Sequence, residues 1–166
     1  MWEHSLHLTP HAYPVTPLFR IPPMTITLKE TKNIDVTLVK ELYQYALWAK
    51  ERNLKDIKRA LLNSTLVISA WERDLLVGFA RVLSDKVFRA TLWDVIVHPD
   101  YQKQGVGSLL IEKILSHPSL KTIDRFWLNT KQPDFYEKFG FVHSPEGMVL
   151  ERKPKERCWF VEFLNC

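Results

Sequence analysis

The sequence predicts an α+β fold, a mixed central sheet of about seven strands with helices on both faces. Three observations predict it. Short apolar and β-branched runs with period two are interleaved with longer runs in which apolar residues share one helical face. Cap and turn residues stand between these runs. One run, residues 92–97, is apolar apart from Asp94 and leads through a short polar turn into a glycine-bearing helix start, so it reads as a buried central strand.

Residues 1–23 hold five of the ten prolines: Pro10, Pro14, Pro17, Pro22 and Pro23. No helix or central strand tolerates that density, so an extended arm is expected ahead of one folded domain over residues 24–166. His4, His7 and His11 would share a metal-binding face only on a helix, which the prolines oppose; no metal site is expected. Residues 24–28 alternate Met24, Ile26 and Leu28 against Thr25 and Thr27, a first strand. Asp35 can cap a helix in which Val39, Leu42, Tyr43, Ala46 and Leu47 share a face. A second helix, capped by Asn53, turns Leu54, Ile57, Ala60 and Leu61 inward.

Residues 65–71 and 75–83 form a hairpin around Glu72-Arg73-Asp74. The strand over 88–97 follows, and Pro99 stops it. Its helix covers residues 105–116, with Val106, Leu109, Leu110 and Ile114 toward the sheet, and Pro118 ends it. Residues 125–129 are a short strand. Pro133 opens a helix that Gly140 closes as its C′ residue. Two last strands are expected over 142–150 and 158–164, around a polar turn at 151–157.

Composition narrows the function classes. The balance of 46% hydrophobic and 25% charged residues is that of a soluble globule of 166 residues. A net charge of +4 suits a polyanionic cofactor but is too small and too scattered to argue for nucleic acid. No apolar run approaches the ~20 residues of a membrane span. The first residues lack the basic start and apolar core of a secretory signal. A bond between Cys158 and Cys166 stays open, and reduced thiols fit a cytoplasmic location.

The chemistry is expected where the central strand meets its helix. Gly105 and Gly107 allow consecutive N–H groups to converge with no Cβ in the way, and the helix adds the positive end of its dipole. This is an anion site, for a phosphate or pyrophosphate, or else a plain tight turn; spacing alone does not separate the two. A Walker A loop fails for want of a Lys-Ser or Lys-Thr pair. A dinucleotide fingerprint fails because Leu110 stands where its third glycine would be.

What fits is Gln102-x-x-Gly105-x-Gly107 after a strand, which resembles the acetyl-CoA-binding motif of the GNAT superfamily of N-acetyltransferases. A second block, Asp134-Phe135-Tyr136-Glu137-Lys138-Phe139-Gly140-Phe141, resembles that superfamily's FYxxxGF helix-turn. The element order matches as well. Gly78-Phe79-Ala80-Arg81, Leu92-Trp93-Asp94-Val95 and His98-Pro99-Asp100-Tyr101-Gln102 are similar to the cyanobacterial and plastid branch. That branch includes enzymes described as serotonin N-acetyltransferases and plastid protein acetyltransferases.

The resemblance implies an enzyme that uses acetyl-CoA as co-substrate and acetylates an amine by direct attack in a ternary complex. It assigns the backbone N–H groups of Lys103, Gln104, Gly105, Val106 and Gly107 to the pyrophosphate, with Gln102 anchoring the turn and Ser108 adding a hydroxyl. Ile96 and Val97 would pair with the pantetheine arm, Asn129 would bond its amides, and a backbone N–H near Val97 would stabilise the oxyanion. Tyr136 falls where the family places its general acid; the other reading is a half-buried core tyrosine. For the base, several family members carry Glu or His where Thr91 and Trp93 stand here. Asp94 is the titratable side chain in that strand, and base and structural cap are both open for it. Asp85 and His143 are weaker candidates.

Trp93, Phe88, Trp48, Tyr45 and Trp127 are either aromatic walls for a serotonin-like arylalkylamine or core residues. The rival readings are a protein Nα- or Lys-acetyltransferase and, from another class, a CoA-binding module without catalysis. The expected partners are acetyl-CoA and an amine, with no membrane and no nucleic acid; a homodimer stays open. A plastid is the alternative to the cytoplasm.

Overall fold

The computed structural model describes residues 25–145 and 148. They divide at the Phe126–Trp127 bond into two units. The N-terminal arm, the strand start at Met24, the three histidines of the arm, the turn at 151–157, the strand at 158–164 and both cysteines lie outside the described residues. The strand expected over 142–150 is described only in part, and its residues 142–145 form no strand.

The first unit runs β1 (Ile26–Glu30), α1 (Val36–Tyr43), α2 (Leu54–Asn63), β2 (Leu66–Glu72), β3 (Leu75–Ser84), β4 (Arg89–Val97), α3 (Val106–Leu115) and β5 (Arg125–Trp127), whose last residue begins the second unit. The sheet order is β1-β2-β3-β4-β5, and β1 to β4 are antiparallel neighbours. Between β4 and β5 the chain passes through α3, the crossover that a parallel neighbour requires. Five strands are therefore present among the described residues, where the sequence predicts about seven.

Local signals account for the elements. Asp35 caps α1, its Oδ1 accepting from the Thr37 N–H at 2.9 Å; Asn53 caps α2, its Oδ1 accepting from the Asp56 N–H at 2.9 Å. Arg73 turns the β2–β3 hairpin with φ +53°. The sheet is covered on both faces. Val39, Leu42 and Tyr43 of α1 and Ile57 and Leu61 of α2 pack on Val67, Leu76, Phe79 and Ile96. Val106, Leu110 and Ile114 of α3 pack with Ile68, Ala70, Ala80, Val82 and Ala90 on the other face.

Three apolar residues expected inward are exposed. Leu47 lies beyond the end of α1 at Tyr43, so the helical period no longer governs it. Leu54 is the first residue of α2 and has no preceding turn to pack under. Leu109 is exposed and Ile111 is buried in its place. The two lie about 100° to either side of Leu110, and apolar periodicity does not choose between them.

Two irregularities shape the centre of the sheet. Phe79 pairs with Ile96 and Arg81 with Trp93, so Asp94 and Val95 stand opposite Ala80 alone; this is a β-bulge in β4, with Asp94 at φ +51°. Ala90 packs in the α3-side core, and strict alternation would send Ile96 there too. Beyond the bulge Ile96 packs on the α1–α2 face, and Val95 and Val97 take the α3 face. Gly78 is the second feature. A Cβ built on it would meet the Ile96 carbonyl oxygen at 3.0 Å and Val106 Cγ1 and Leu110 Cδ1 at 3.4 Å, so its bare Cα lets α3 lie close on the sheet.

Candidate active site

β4 ends in a turn built from its own polar residues. The His98 N–H donates to the Val77 carbonyl of β3 at 2.8 Å. Successive N–H groups of a strand alternate in direction, so the Val97 N–H points away from β3. Pro99 to Tyr101 form one 3₁₀ turn. Gln102 Nε2 then folds back onto the Val97 carbonyl at 3.0 Å, and Gln104 Nε2 donates to the Asp100 carbonyl. Lys103 at φ +59° and Gly105 at φ +88° are both left-handed, on either side of Gln104. Backbone curled in this way presents its N–H groups to one side as an anion-binding nest.

Of the two glycines, only Gly105 uses the left-handed region; Lys103 supplies the second such residue, and Gly107 lies inside the first turn of α3 with Val106 and Ser108. Gln102, Lys103, Gln104 and Gly105 are exposed, whereas the Val106 side chain is buried beneath the helix. Gly105 is the N-cap of α3 and gives it no side-chain cap, which leaves the helix start open to an anion. Gly105→Ala isolates the backbone term, because no atom lies within 4 Å of the new Cβ. The left-handed residue then costs about 1–2 kcal/mol. The thermal midpoint, followed by circular dichroism, falls by about 2–8 °C.

The bulge turns the Asp94 side chain to the α1–α2 face, where Tyr43 and Arg52 meet it; even alternation would set it on the α3 face with Ala90. Its Oδ2 accepts three bonds: from the Tyr43 hydroxyl at 2.6 Å, Arg81 Nε at 2.6 Å and Arg52 NH1 at 2.8 Å. The side chains of Asp94, Arg81 and Arg52 are 1%, 9% and 33% exposed, so the cluster runs from the interior to the surface. Arg81 NH1 also donates to Ser64 Oγ at 3.0 Å, and Arg52 NH1 lies 3.1 Å from the Tyr43 hydroxyl. Asp94 Oδ1 is buried and has no hydrogen-bond partner among the described residues. Burial and the Asp94 charge push the Tyr43 phenol far above its ordinary range, so it stays a donor.

The α1–α2 connection, residues 44–53, borders this cluster. Lys40 Nζ donates to the carbonyls of Lys50 and Arg52 at 2.6 and 2.8 Å, and the Tyr45 hydroxyl lies 3.1 Å from His98 Nε2. The aromatic residues left open between wall and core divide clearly: Tyr45, Trp48, Phe88 and Trp93 are exposed, and Trp127 is intermediate.

Asn129 and Tyr136 belong to the second unit. Asn129 is exposed, two residues past the end of β5. Tyr136 sits in α4 (Pro133–Glu137), followed by Gly140 at φ +86°. Its ring is edge-on to Phe135 at 4.8 Å and to Phe141 at 5.9 Å. Burial pushes its phenol up to about 12, so it holds its proton at neutral pH. Lys138 lies over the Phe135 and Phe139 rings. Among the described residues no cluster of three His, Cys, Asp or Glu could hold a metal ion, and no helix is long and apolar enough to cross a membrane.

Residues 63–143 match the acetyltransferase (GNAT) domain model, a span that contains the β4 turn, α3 and α4. The uncharacterized N-acetyltransferase ycf52 of Pyropia yezoensis is 39% identical over 133 residues, which cover 74% of each chain. The chain belongs to the GNAT family. It is an acetyltransferase with the GNAT α+β fold. A GNAT family acetyltransferase from Streptococcus pneumoniae superposes with a TM-score of 0.68 at 29% identity, over 78% of this chain and 100% of that one. The chloroplastic GCN5-related N-acetyltransferase 2 of Arabidopsis thaliana is 43% identical over 75 residues, 44% of this chain and 29% of that protein.

Sequence reasoning gave no part in the site to Tyr43, Arg52, Arg81 or Gly78. Arg81 carried a signal: a lone cation in the apolar run of β3, beside a strand with a lone Asp. A lone cation and a lone carboxylate in adjoining apolar strands are read as a buried pair.

Proposed function

We propose that this GNAT acetyltransferase transfers the acetyl group of acetyl-CoA to a primary amine, by direct attack in a ternary complex. The observation that carries the reading is the exposed left-handed turn at 103–105 that feeds the uncapped start of α3. Backbone N–H groups there match the doubly charged pyrophosphate of a CoA thioester. Gln102 stiffens the turn by closing it on Val97, and the pantetheine arm pairs with Ile96 and Val97.

The acyl step then follows from the chemistry. The neutral amine nitrogen attacks the thioester carbon, and the C–N bond forms as the carbonyl π pair moves to oxygen. The Val97 N–H, turned away from β3, is suited to stabilise that oxyanion. Collapse breaks the C–S bond, and the Tyr136 phenol donates a proton to the leaving thiolate. The amine proton passes to solvent or to a base. Of the two readings of Asp94, the geometry supports the anchoring one: Oδ2 already accepts from three donors, and Oδ1 is buried away from solvent. Bound at this site, acetyl-CoA supplies the activated acyl carbon.

The acceptor is an arylalkylamine of the serotonin type, a reading supported by the exposed rings of Tyr45, Trp48 and Trp93. A protein Nα- or Lys-acetyltransferase is the second reading, favoured by the openness of those same rings. The domain spans residues 24–166 behind the proline-rich arm, and the chloroplastic relative supports a plastid as the alternative to the cytoplasm. Calorimetry with acetyl-CoA followed by turnover on serotonin and on a peptide panel tests the proposal. Saturable binding and preference for serotonin are expected. Preference for peptides selects the second reading, and no uptake of acetyl-CoA ends both.

A further inference from the structure

We propose that Arg52 is a positioning residue that latches the α1–α2 connection onto the β4 bulge and so sets the geometry of the acceptor, without a part in holding the cofactor. The inference rests on the acceptor lying beside the exposed aromatic residues, as argued above. Two arginines reach the same oxygen of Asp94, but they arrive from different places. Arg81 comes from β3, is nearly buried, bonds through Nε and continues to Ser64. It ties the bulge to the sheet. Arg52 comes from the end of the connection and is one-third exposed. It ties the connection to the bulge.

The fit around Arg52 is that of a slot for a planar cation. Its guanidinium carbon lies 5.1 Å from the ring centroids of both Tyr43 and Trp48, and NH1 is 2.8 Å from Asp94 Oδ2. Two aromatic rings and a carboxylate hold a guanidinium far better than an ammonium, whose charge is compact and strongly hydrated. The Arg52 carbonyl is held in turn by Lys40 Nζ. The same connection carries the exposed Tyr45 and Trp48, while Trp93 precedes Asp94 on β4. An acceptor that touches both sides depends on their separation, which the latch fixes. Without Arg52, Asp94 keeps Arg81 and Tyr43, so the bulge and the turn after β4 persist while the connection is released.

The test uses Arg52→Ala and Arg52→Lys in the full chain. In Arg52→Ala the KM for the amine rises by at least about tenfold, while the KM for acetyl-CoA is unchanged. Millimolar methylguanidinium restores the amine KM, and Arg52→Lys restores it only in part. An unchanged amine KM, or equal loss for both substrates with no rescue, overturns the proposal. Hydrogen exchange reads the latch apart from turnover: amides of residues 44–53 exchange faster in Arg52→Ala while those of β4 keep their rates. Equal exchange in both segments refutes the latch. A wild-type chain that takes up no acetyl-CoA refutes the functional reading instead, and the exchange result still decides the latch.

Discussion

Replacing Tyr136 by Phe lowers kcat by about 10²-fold, the lower end of the 10²–10⁴ range for general acids, and leaves the Kd for acetyl-CoA unchanged. The magnitude follows from the phenol's surroundings. Burial among Phe135 and Phe141 holds it near 12, so it is protonated throughout the neutral range but is a weak acid. A thiol ionises near ~8.5, so full proton transfer from this phenol to a free thiolate runs uphill. The phenol acts best on a thiolate that is still forming in the same dry surroundings, where the thiolate's own proton affinity is raised too. Phe keeps the ring and its edge-on contacts, so the thermal midpoint holds and a fall in kcat is chemical. Stopped-flow and steady-state rates with calorimetric Kd values make the measurement. Unchanged turnover would return Tyr136 to a packing role, and binding without turnover in the wild type would identify a CoA-binding module. Because the group is protonated up to about pH 12, it adds no falling limb to the kcat profile between pH 7 and pH 10.

Asp94→Ala destabilises the fold by about 3–5 kcal/mol, the range for breaking a buried ion pair on one side. That is a large share of the about 5–15 kcal/mol typical of a domain. Two guanidiniums lose their shared counter-charge. Arg52 can turn to water, but the Arg81 side chain is only 9% exposed and stays behind uncompensated. The left-handed backbone at residue 94 is also left with no side chain to hold it there. Urea denaturation followed by circular dichroism measures the loss. Asp94→Asn keeps the shape, removes the charge, and falls between wild type and Ala. It also separates the two readings of this residue. An anchor that is weakened but still folded gives the wild-type pH dependence of kcat/KM at reduced amplitude. Loss of the rising limb in a folded Asp94→Asn enzyme would make the carboxylate the base.

Much of the frame was legible because it is written locally. Asp35 and Asn53 cap helices through bonds to residues two and three positions on, and the left-handed Gly105 ends the β4 turn. The bulge was not legible. Ala90, Leu92, Asp94 and Ile96 are all buried, so the burial pattern of β4 alternates as though the strand were even. Only the cores into which Ala90 and Ile96 pack reveal that the faces have exchanged. Three donors from three elements hold Asp94 in place, and all are distant in sequence from residue 94. Leu47 and Leu54 misled for simpler reasons: apolar periodicity continues past Tyr43, where α1 ends, and Leu54 opens α2 with no preceding turn to pack under.

The missing side chain at Gly78 has a consequence for the turn proposed to hold an anion. Val106, which sits within van der Waals range of that vacant position, is also the first residue of α3. The strand interior thus acts as a shim whose thickness sets the height of the helix, and with it the clearance available to a diphosphate. On the proposed reading of the turn, a single methyl in the middle of the sheet would retune the grip on a diphosphate from beneath, without touching any atom of it.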